Sequence, residues 1–147
     1  MQPDIELNWP AIAVEVVVSF VLGSVWYGVV VRDLWQRAMG FTGSALPTGG
    51  EAMRGSVINI VGTILTAYVL ARLIGAWRPA AWGGAAEPAS DVAIALMVGS
   101  LVWAGFAVPI LLNGVAFERK RWTVLLINAA FQLVSVLAMA LILAFWD

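Results

Sequence analysis

The sequence predicts an all-α membrane protein, a four-transmembrane-helix bundle, and its composition and hydropathy are the observations that predict it. Of the 147 residues, 62% are hydrophobic and only 12% are charged, and the mean hydropathy is +0.92. Soluble domains are about half apolar and about a quarter charged, so this chain lacks the polar groups that would cover a surface in water. Four apolar windows approach or exceed the roughly 20 residues that a bilayer span requires. We therefore expect one integral membrane domain, residues 1–147, whose first partner is the lipid bilayer. The predicted spans are residues 10–31, 56–74, 91–113 and 122–146.

The ends of the first and third windows carry helix-start signals. Pro10 suits a first helical turn, where its missing N–H costs nothing. The preceding segment, MQPDIELNW, contains no Lys or Arg, whereas a secretory signal begins with basic residues, so the first window is expected to be a permanent span. Before the third window, Ser90 is a candidate N-cap, and Asp91 would complement the positive end of the helix.

Two connections have compositions that suggest their structure. The segment RDLWQRAMGF, residues 32–41, alternates charged and apolar side chains. It predicts either a short amphipathic helix on the inner membrane surface or an ordinary loop anchored by Trp35. The segment WRPAAWGGAAEPAS, residues 77–90, is rich in Pro, Gly and Ala and predicts an outer connection without regular structure.

The basic residues predict the orientation of the bundle. Six of the eight lie in the first and third connections, and the other two lie in the second connection or at its edge. Basic residues are enriched in cytoplasmic loops. The first and third connections are therefore expected in the cytoplasm, and both termini outside.

Two stretches, VLGSVWYGVV in span 1 and MVGSLVWAGF in span 3, resemble each other. An offset of 76 residues places Gly23 on Gly99 and Tyr27 on Trp103, and an offset of 69 places Asn59 of span 2 on Asn128 of span 4. This pattern favours two tandem two-helix repeats with the same orientation, related by an axis along the membrane normal. Chance similarity between apolar helices is the alternative.

Small residues in these stretches predict close helix packing. Burying Leu gives no net drive for association in lipid, whereas small residues let two backbones approach. Ser19 and Gly23, and likewise Ala95 and Gly99, are four residues apart, so spans 1 and 3 are expected to cross there. The predicted packing residues are Gly23, Gly99 and Gly105. The alternative is that small residues are simply common in membrane helices.

Polar and aromatic side chains at helical spacing form the candidate site. A polar group that faces lipid is costly, so these side chains are expected to face inward, where they line a polar pathway or hold helices together as an interhelical network. Glu15 invites a functional interpretation because intramembrane acids usually have one; its position near the helix start also fits an interfacial anion. The candidate residues are Glu15, Ser19, Tyr27, Asn59, Thr63, Thr66, Trp103, Asn128, Gln132 and Ser135.

Several function classes find no support in the sequence. Histidine and cysteine are both absent, which removes the commonest metal ligands. The sequence contains no Gly-rich phosphate loop and no nucleophile with a neighbouring base. We therefore expect no enzyme activity, no cofactor, no metal site and no nucleic-acid partner.

A series of short motifs runs along nearly the whole chain: Asn8-Trp9, Gly23 with Trp26-Tyr27, Trp35, Gly40, LVWAGF at 101–106, Phe117-Glu118 and Ile127-Asn128. In these motifs the chain resembles the bacterial membrane family called domain of unknown function 1761. This resemblance implies a four-helix protein of the inner (cytoplasmic) membrane and supplies no activity. A Tyr-His pair that is common in the last helix of the family is Phe131-Gln132 here, which argues against a role for a titrating imidazole.

Two classes of function remain. One is transport or permeation of a small solute along the polar residues, which would require a homo-oligomer because four helices leave little room for a private channel. The other is a non-catalytic accessory or structural subunit of a larger membrane protein complex.

Overall fold

A computed structural model of the protein describes residues 5, 7–40, 49–85 and 88–146. Its helices are α1 (Trp9–Val25), α2 (Arg32–Met39), α3 (Gly49–Trp77), α4 (Pro88–Val102), α5 (Val108–Ala116) and α6 (Trp122–Trp146). Four helical stretches are long and apolar enough to cross a membrane: Trp9–Val30, Gly49–Trp77, Asp91–Ala116 and Trp122–Trp146. The predicted all-α class with four spans is confirmed, and no strand occurs in the described ranges.

The helix starts agree with the sequence signals in one case out of two. The Asn8 side chain accepts a hydrogen bond of 3.0 Å from the Ala11 N–H, and Pro10 lies in the first turn of α1 as expected. The α4 helix begins at Pro88, so Ser90 lies inside the helix and the prediction that it is an N-cap is wrong. Pro88 can occupy a first turn because its N–H is not needed there.

Spans 1 and 3 each contain one π-helical segment, Trp26–Val30 and Trp103–Ala107. At the ends of these segments, the N–H of Val31 bonds to the carbonyl of Trp26, and the N–H of Val108 bonds to that of Trp103, five residues back. Such wide turns are rare and occur frequently at functional sites. The two segments are 77 residues apart, within one residue of the offset of 76 found in the sequence, which supports the two tandem repeats.

The first connection contains a short amphipathic helix, which is one of the two structures that the sequence predicted for it. The α2 helix covers Arg32–Met39 and ends where Gly40 takes a positive φ of 76°. Its Trp35 ring meets the Tyr27 ring edge-on, with ring centroids 5.5 Å apart. The short helix is therefore attached to the end of span 1; residues 41–48 lie outside the described part.

The second connection has more structure than its composition predicted. Pro79–Trp82 form one 3₁₀ turn, because the fixed φ of Pro79 suits a first helical position. The Trp82 indole N–H donates to the Ala76 carbonyl at 2.8 Å, and Gly83 ends the turn with a φ of 81°. The expectation of an irregular connection is wrong for these residues.

The α6 helix is the central helix of the bundle. It packs against α1 on one side and α4 on the other, and its buried residues run from Val124 to Leu143. By contrast, α3 buries side chains only between Ala67 and Ile74. The apolar core therefore lies toward the end of the bundle where α1 and α4 begin. Its members are Ala11, Ile12, Ala67, Leu70, Ala71, Ile74, Ala95, Val98, Val136, Met139, Ala140 and Leu143.

The predicted crossing of spans 1 and 3 is wrong, because their small residues face α6. A Cβ atom added at Gly23 would lie 3.4 Å from the Phe131 ring, and one added at Gly99 would lie 3.3 Å from Leu137 and 3.4 Å from Ala140. Both glycines thus permit close approach to α6.

The packing role predicted for Gly105 has no counterpart within the single chain and stays a prediction. A Cβ atom there would meet nothing within 4 Å, since this glycine lies on an exposed face of span 3 next to Phe106, which is 69% exposed.

Candidate functional site

A cleft opens between α1, α3 and α6, and we call it the α3 cleft. It consists of a wide cavity of about 670 Å³ and a deep cavity of about 340 Å³. The two adjoin, because Ser19, Asn59 and Phe131 line both. The wide cavity also contacts Trp35 of α2 and Lys120 of the third connection, so the cleft begins at the end of the bundle where those connections lie.

The cleft exists because only the last part of α3 packs on the bundle. Residues 49–66 of α3 contain no buried side chain, whereas Ala67 and Leu70 are fully buried. The face of α3 that looks into the cleft is polar or small, and α1 and α6 form the other walls. The α3 side of the cleft contains Ala52, Gly55, Ser56, Ile58, Asn59, Gly62, Thr63 and Thr66.

The structure brings together nearly all of the predicted polar residues. Eight of them line one or both cavities. They are Ser19 and Tyr27 of span 1, Asn59, Thr63 and Thr66 of α3, and Asn128, Gln132 and Ser135 of α6. Trp103 lies elsewhere, in the π-helical segment of span 3, and Glu15 lines neither cavity.

Two aromatic side chains tie the π-helical segments to α6. The Tyr27 hydroxyl donates to Asn128 Oδ1 at 2.8 Å, and the Trp103 indole N–H donates to the Ala129 carbonyl at 2.8 Å. These residues match at the sequence offset of 76 and bond to adjacent residues of α6. They therefore hold helices together, as one of the two interpretations of the polar residues expected.

Trp26, next to Tyr27 in the chain, has no polar partner for its buried indole nitrogen in the described structure. Its ring packs against Phe131 with centroids 6.4 Å apart. The position of this ring follows from contact with Phe131 rather than from a polar neighbour.

The side chains of Asn59, Thr63 and Thr66 form no hydrogen bond to another helix in the described part of the chain. The hydroxyls of Thr63 and Thr66 donate to carbonyls of their own helix, Asn59 at 2.9 Å and Gly62 at 3.0 Å. No hydrogen bond joins Asn59 to its repeat equivalent Asn128, whose amide oxygen instead accepts from Tyr27. On this wall of the cleft, the polar groups face open space.

A buried polar group of three residues lies beside the deep end of the cleft. Ser135 donates to Ser19 at 3.2 Å between hydroxyl oxygens, and both serines are buried. Glu15 lies one turn before Ser19 on α1. It has 0% of its surface exposed, and neither of its carboxylate oxygens has a hydrogen-bond partner.

This burial overturns the interpretation of Glu15 as an interfacial anion. Protein encloses its carboxylate. The sequence offset of 76 residues places Glu15 on Asp91, and Asp91 instead lies 3.5 Å from Arg78 in an ion pair. The equivalence of the two acids in sequence does not extend to their surroundings.

Sequence reasoning missed several lining residues. Phe131 separates the two cavities, and Lys120, which lies 2.7 Å from Glu118, stands at the entrance of the wide cavity. Phe131 lies one turn from Asn128 and could have been found from that spacing, whereas Lys120 lies in a connection whose path no periodicity predicts. In the ranges that the structure describes, no group of three or more acidic, His or Cys residues could hold a metal ion.

Comparison with known proteins identifies the family. The family described as "Protein of unknown function (DUF1761)" matches residues 10–144, which cover all four spans except for Trp9 at the start of the first and Phe145 and Trp146 at the end of the last. The chain belongs to the DUF1761 family. The resemblance stated from the sequence motifs is thereby confirmed. No curated protein and no solved structure matches this DUF1761 protein.

Proposed function

We propose that this DUF1761 protein lets a small polar solute cross the membrane through the α3 cleft, as a homo-oligomer. The observation that carries the proposal is the polar wall of α3, where Asn59, Thr63 and Thr66 face a void instead of another helix. A polar surface at membrane depth is costly unless it lines a water-filled space or is covered by protein. Water and a solute in the cleft would meet that requirement.

The cleft alone does not cross the bundle. It ends near Ser19, Ser135 and Met139, next to the apolar core, and α3 leaves its side open along residues 49–66. A second copy could supply the missing wall, which is why the proposal includes a homo-oligomer.

The second candidate function is an accessory or structural subunit of a larger membrane complex. The bonds from Tyr27 and Trp103 to α6 support it, because each joins a polar group of one span to another helix. In that case, a helix of the partner would fill the α3 cleft.

The proposal includes a location in the inner membrane with both termini outside, as the basic residues indicate. A reporter that is active only in the cytoplasm, fused after Gly43, is expected to be active, and the same reporter fused after Asp147 is expected to be inactive. The opposite pattern would overturn the orientation.

Water in the cleft can be tested with single cysteines, because the chain contains none. In intact membranes, we expect a water-soluble thiol reagent to label Thr63→Cys and Gln132→Cys rapidly. The matched control is Leu65→Cys on the same helix, which is 62% exposed, lines neither cavity and faces lipid. Equal, slow labelling of all three would show that the cleft is dry.

Permeation itself requires a flux measurement. Liposomes that contain the purified protein should swell faster than empty liposomes in at least one of glycerol, urea or ribose. Thr63→Trp should remove the difference by filling the cleft, and Leu65→Trp should preserve it. A wet cleft without faster swelling in any of these solutes would contradict permeation and favour the accessory function.

A further inference from the structure

Glu15 is an ionisable side chain that the proposed path does not use. It is completely buried in the bundle, and both of its carboxylate oxygens lack a hydrogen-bond partner. An ionised carboxylate in an apolar interior without a partner is very costly, and a bound proton or cation removes much of that cost. The surroundings of Glu15 therefore require a positively charged ligand.

The route to Glu15 runs past two hydroxyl groups. Ser19 lies four residues along α1 on the same face as Glu15, so the two side chains are neighbours on the helix surface. Ser19 accepts a hydrogen bond from Ser135 across the interface between α1 and α6. Both serines line the deep cavity, and the hydroxyl pair thus lies between the cleft and the acid.

The hydroxyl pair selects the ligand. The two cavities of the α3 cleft do not reach Glu15, and Ser19 and Ser135 lie between the deep cavity and the acid. Hydroxyl groups can pass on a proton, whereas a metal ion or an organic cation would have to move past them as a whole. The ligand that this route admits is therefore a proton.

We propose that Glu15 binds and releases a proton that reaches it from the α3 cleft through Ser135 and Ser19. In each transfer, a hydroxyl gives its own proton toward Glu15 and takes one from the side of the cleft, so both serines are unchanged at the end. Water in the deep cavity supplies the proton. The inference rests on the proposed function only in requiring that water.

The charged groups on the neighbouring helices are engaged elsewhere. On α3, the Arg72 guanidinium lies 3.5 Å from the Ile5 carbonyl oxygen, and the Tyr68 ring stacks on Trp9. The α6 helix contains no ionisable side chain.

At the end of the bundle where α4 begins, Arg78 bonds to the Leu143 carbonyl at 3.0 Å and pairs with Asp91. Neither residue hydrogen-bonds to Glu15, whose carboxylate oxygens have no hydrogen-bond partner in the described structure.

Labelling with the apolar reagent dicyclohexylcarbodiimide tests proton binding on the wild-type protein in liposomes. The O–H of a protonated carboxyl adds across one C=N bond of the reagent, and the adduct rearranges to a stable acylurea, so the protein gains the mass of one reagent molecule. We expect the label on the peptide that contains Glu15, and its rate should fall by about tenfold per pH unit once the proton is lost. Glu15→Gln should lose this label, and the matched control Asp91→Asn should keep it. A labelling rate that does not depend on pH, or the absence at every pH of an infrared carbonyl band that Glu15→Gln removes, would overturn the proposal.

The path is tested separately by the rate at which the infrared carbonyl band of the Glu15 carboxyl responds to a pH jump. Ser135→Ala should slow this response by about tenfold, equal to about 1.4 kcal/mol of barrier, and Ser135→Thr, which retains the hydroxyl, should restore it. The control Ser24→Ala removes a cleft hydroxyl that bonds only within its own helix, to the Phe20 carbonyl, and should have no effect. An unchanged rate in a folded Ser135→Ala protein would show that the serines are not the path.

The outcomes separate this inference from the proposed function. Absence of thiol labelling at position 132 would contradict the proposed function, while a pH-dependent label on Glu15 would still establish the proton site. A water-filled cleft together with a Glu15 that binds no proton at any pH would leave the proposed permeation intact and overturn the proton site.

Discussion

The first and second helical hairpins carry matching features on their first spans and differ in their second spans. Spans 1 and 3 both place a glycine against α6, followed by a π-helical segment whose aromatic side chain bonds to α6. Span 4 is buried along most of its length, whereas span 2 is buried only from Ala67 to Ile74. The second hairpin therefore provides the helix on which both halves pack, and the first provides the wall that stands away from it.

The different burial of α3 and α6 shows that the position of a helix in the bundle determines what its polar side chains contact. Asn59 and Asn128 are equivalent in the repeat, yet Asn128 accepts from Tyr27 and Asn59 faces the cleft. Burial between α1 and α4 makes an amide on α6 a partner for other helices. The same amide on α3 becomes part of a polar surface.

The largest effect is expected from crowding the interface of α6. Gly99→Leu should destabilise by roughly 3 kcal/mol, because Leu137, Ala140 and Val136 already lie within 3.3–3.5 Å of an added Cβ. Gly23→Leu should destabilise by only roughly 1 kcal/mol, since its single contact is the end of the Phe131 ring, which borders the cleft and can move into it. Thermal unfolding in detergent measures both. Equal losses would show that the two spans contact α6 equally tightly.

An intermediate effect is expected at the bond between Tyr27 and Asn128. Asn128→Leu leaves the Tyr27 hydroxyl unpaired and should destabilise by roughly 1–3 kcal/mol. Adding Tyr27→Phe should recover part of this loss, because neither partner is then left unsatisfied, whereas adding Asn59→Leu should recover nothing. A double-mutant cycle measures the coupling, and rescue by Asn59→Leu instead of Tyr27→Phe would contradict the observed pairing.

The smallest effect is expected at Gly105. A side chain there meets open space, so Gly105→Leu should change the free energy of unfolding by less than about 0.5 kcal/mol. The same measurement that detects Gly99→Leu should find this protein similar to the wild type. A loss as large as that of Gly99→Leu would place Gly105 in a contact that the single chain lacks.

Composition and hydropathy predicted the four spans because the bilayer requires a minimum apolar length. They did not predict the helix ends: α3 begins at Gly49 rather than at Ser56, since polar residues such as Glu51 and Arg54 can continue a helix beyond the apolar window. Hydropathy reports where a chain enters lipid, which differs from where its helix starts.

The choice of helix neighbours could not be predicted. Small residues at Gly23 and Gly99 indicated a close contact, but the partner depends on the order in which four helices are arranged. That order places α6 beside both glycines. The same arrangement decides which polar residues bond to another helix, as Asn128 does, and which bond only within their own helix and face the cleft, as Thr63 does. The helical spacing of the polar residues identified both kinds without distinguishing them.

The two π-helical segments also bear on the history of the chain. A wide turn contains one residue more than an α-helical turn, so it absorbs a single inserted residue that would otherwise rotate everything beyond it by about 100°. Such an insertion survives where the side chains of the wide turn find partners, as Tyr27 and Trp103 do on α6. If the two halves arose by duplication, one insertion in the ancestral hairpin accounts for both segments. The wide turn would then be older than the four-helix protein and would have functioned first in a two-helix ancestor that assembled with copies of itself.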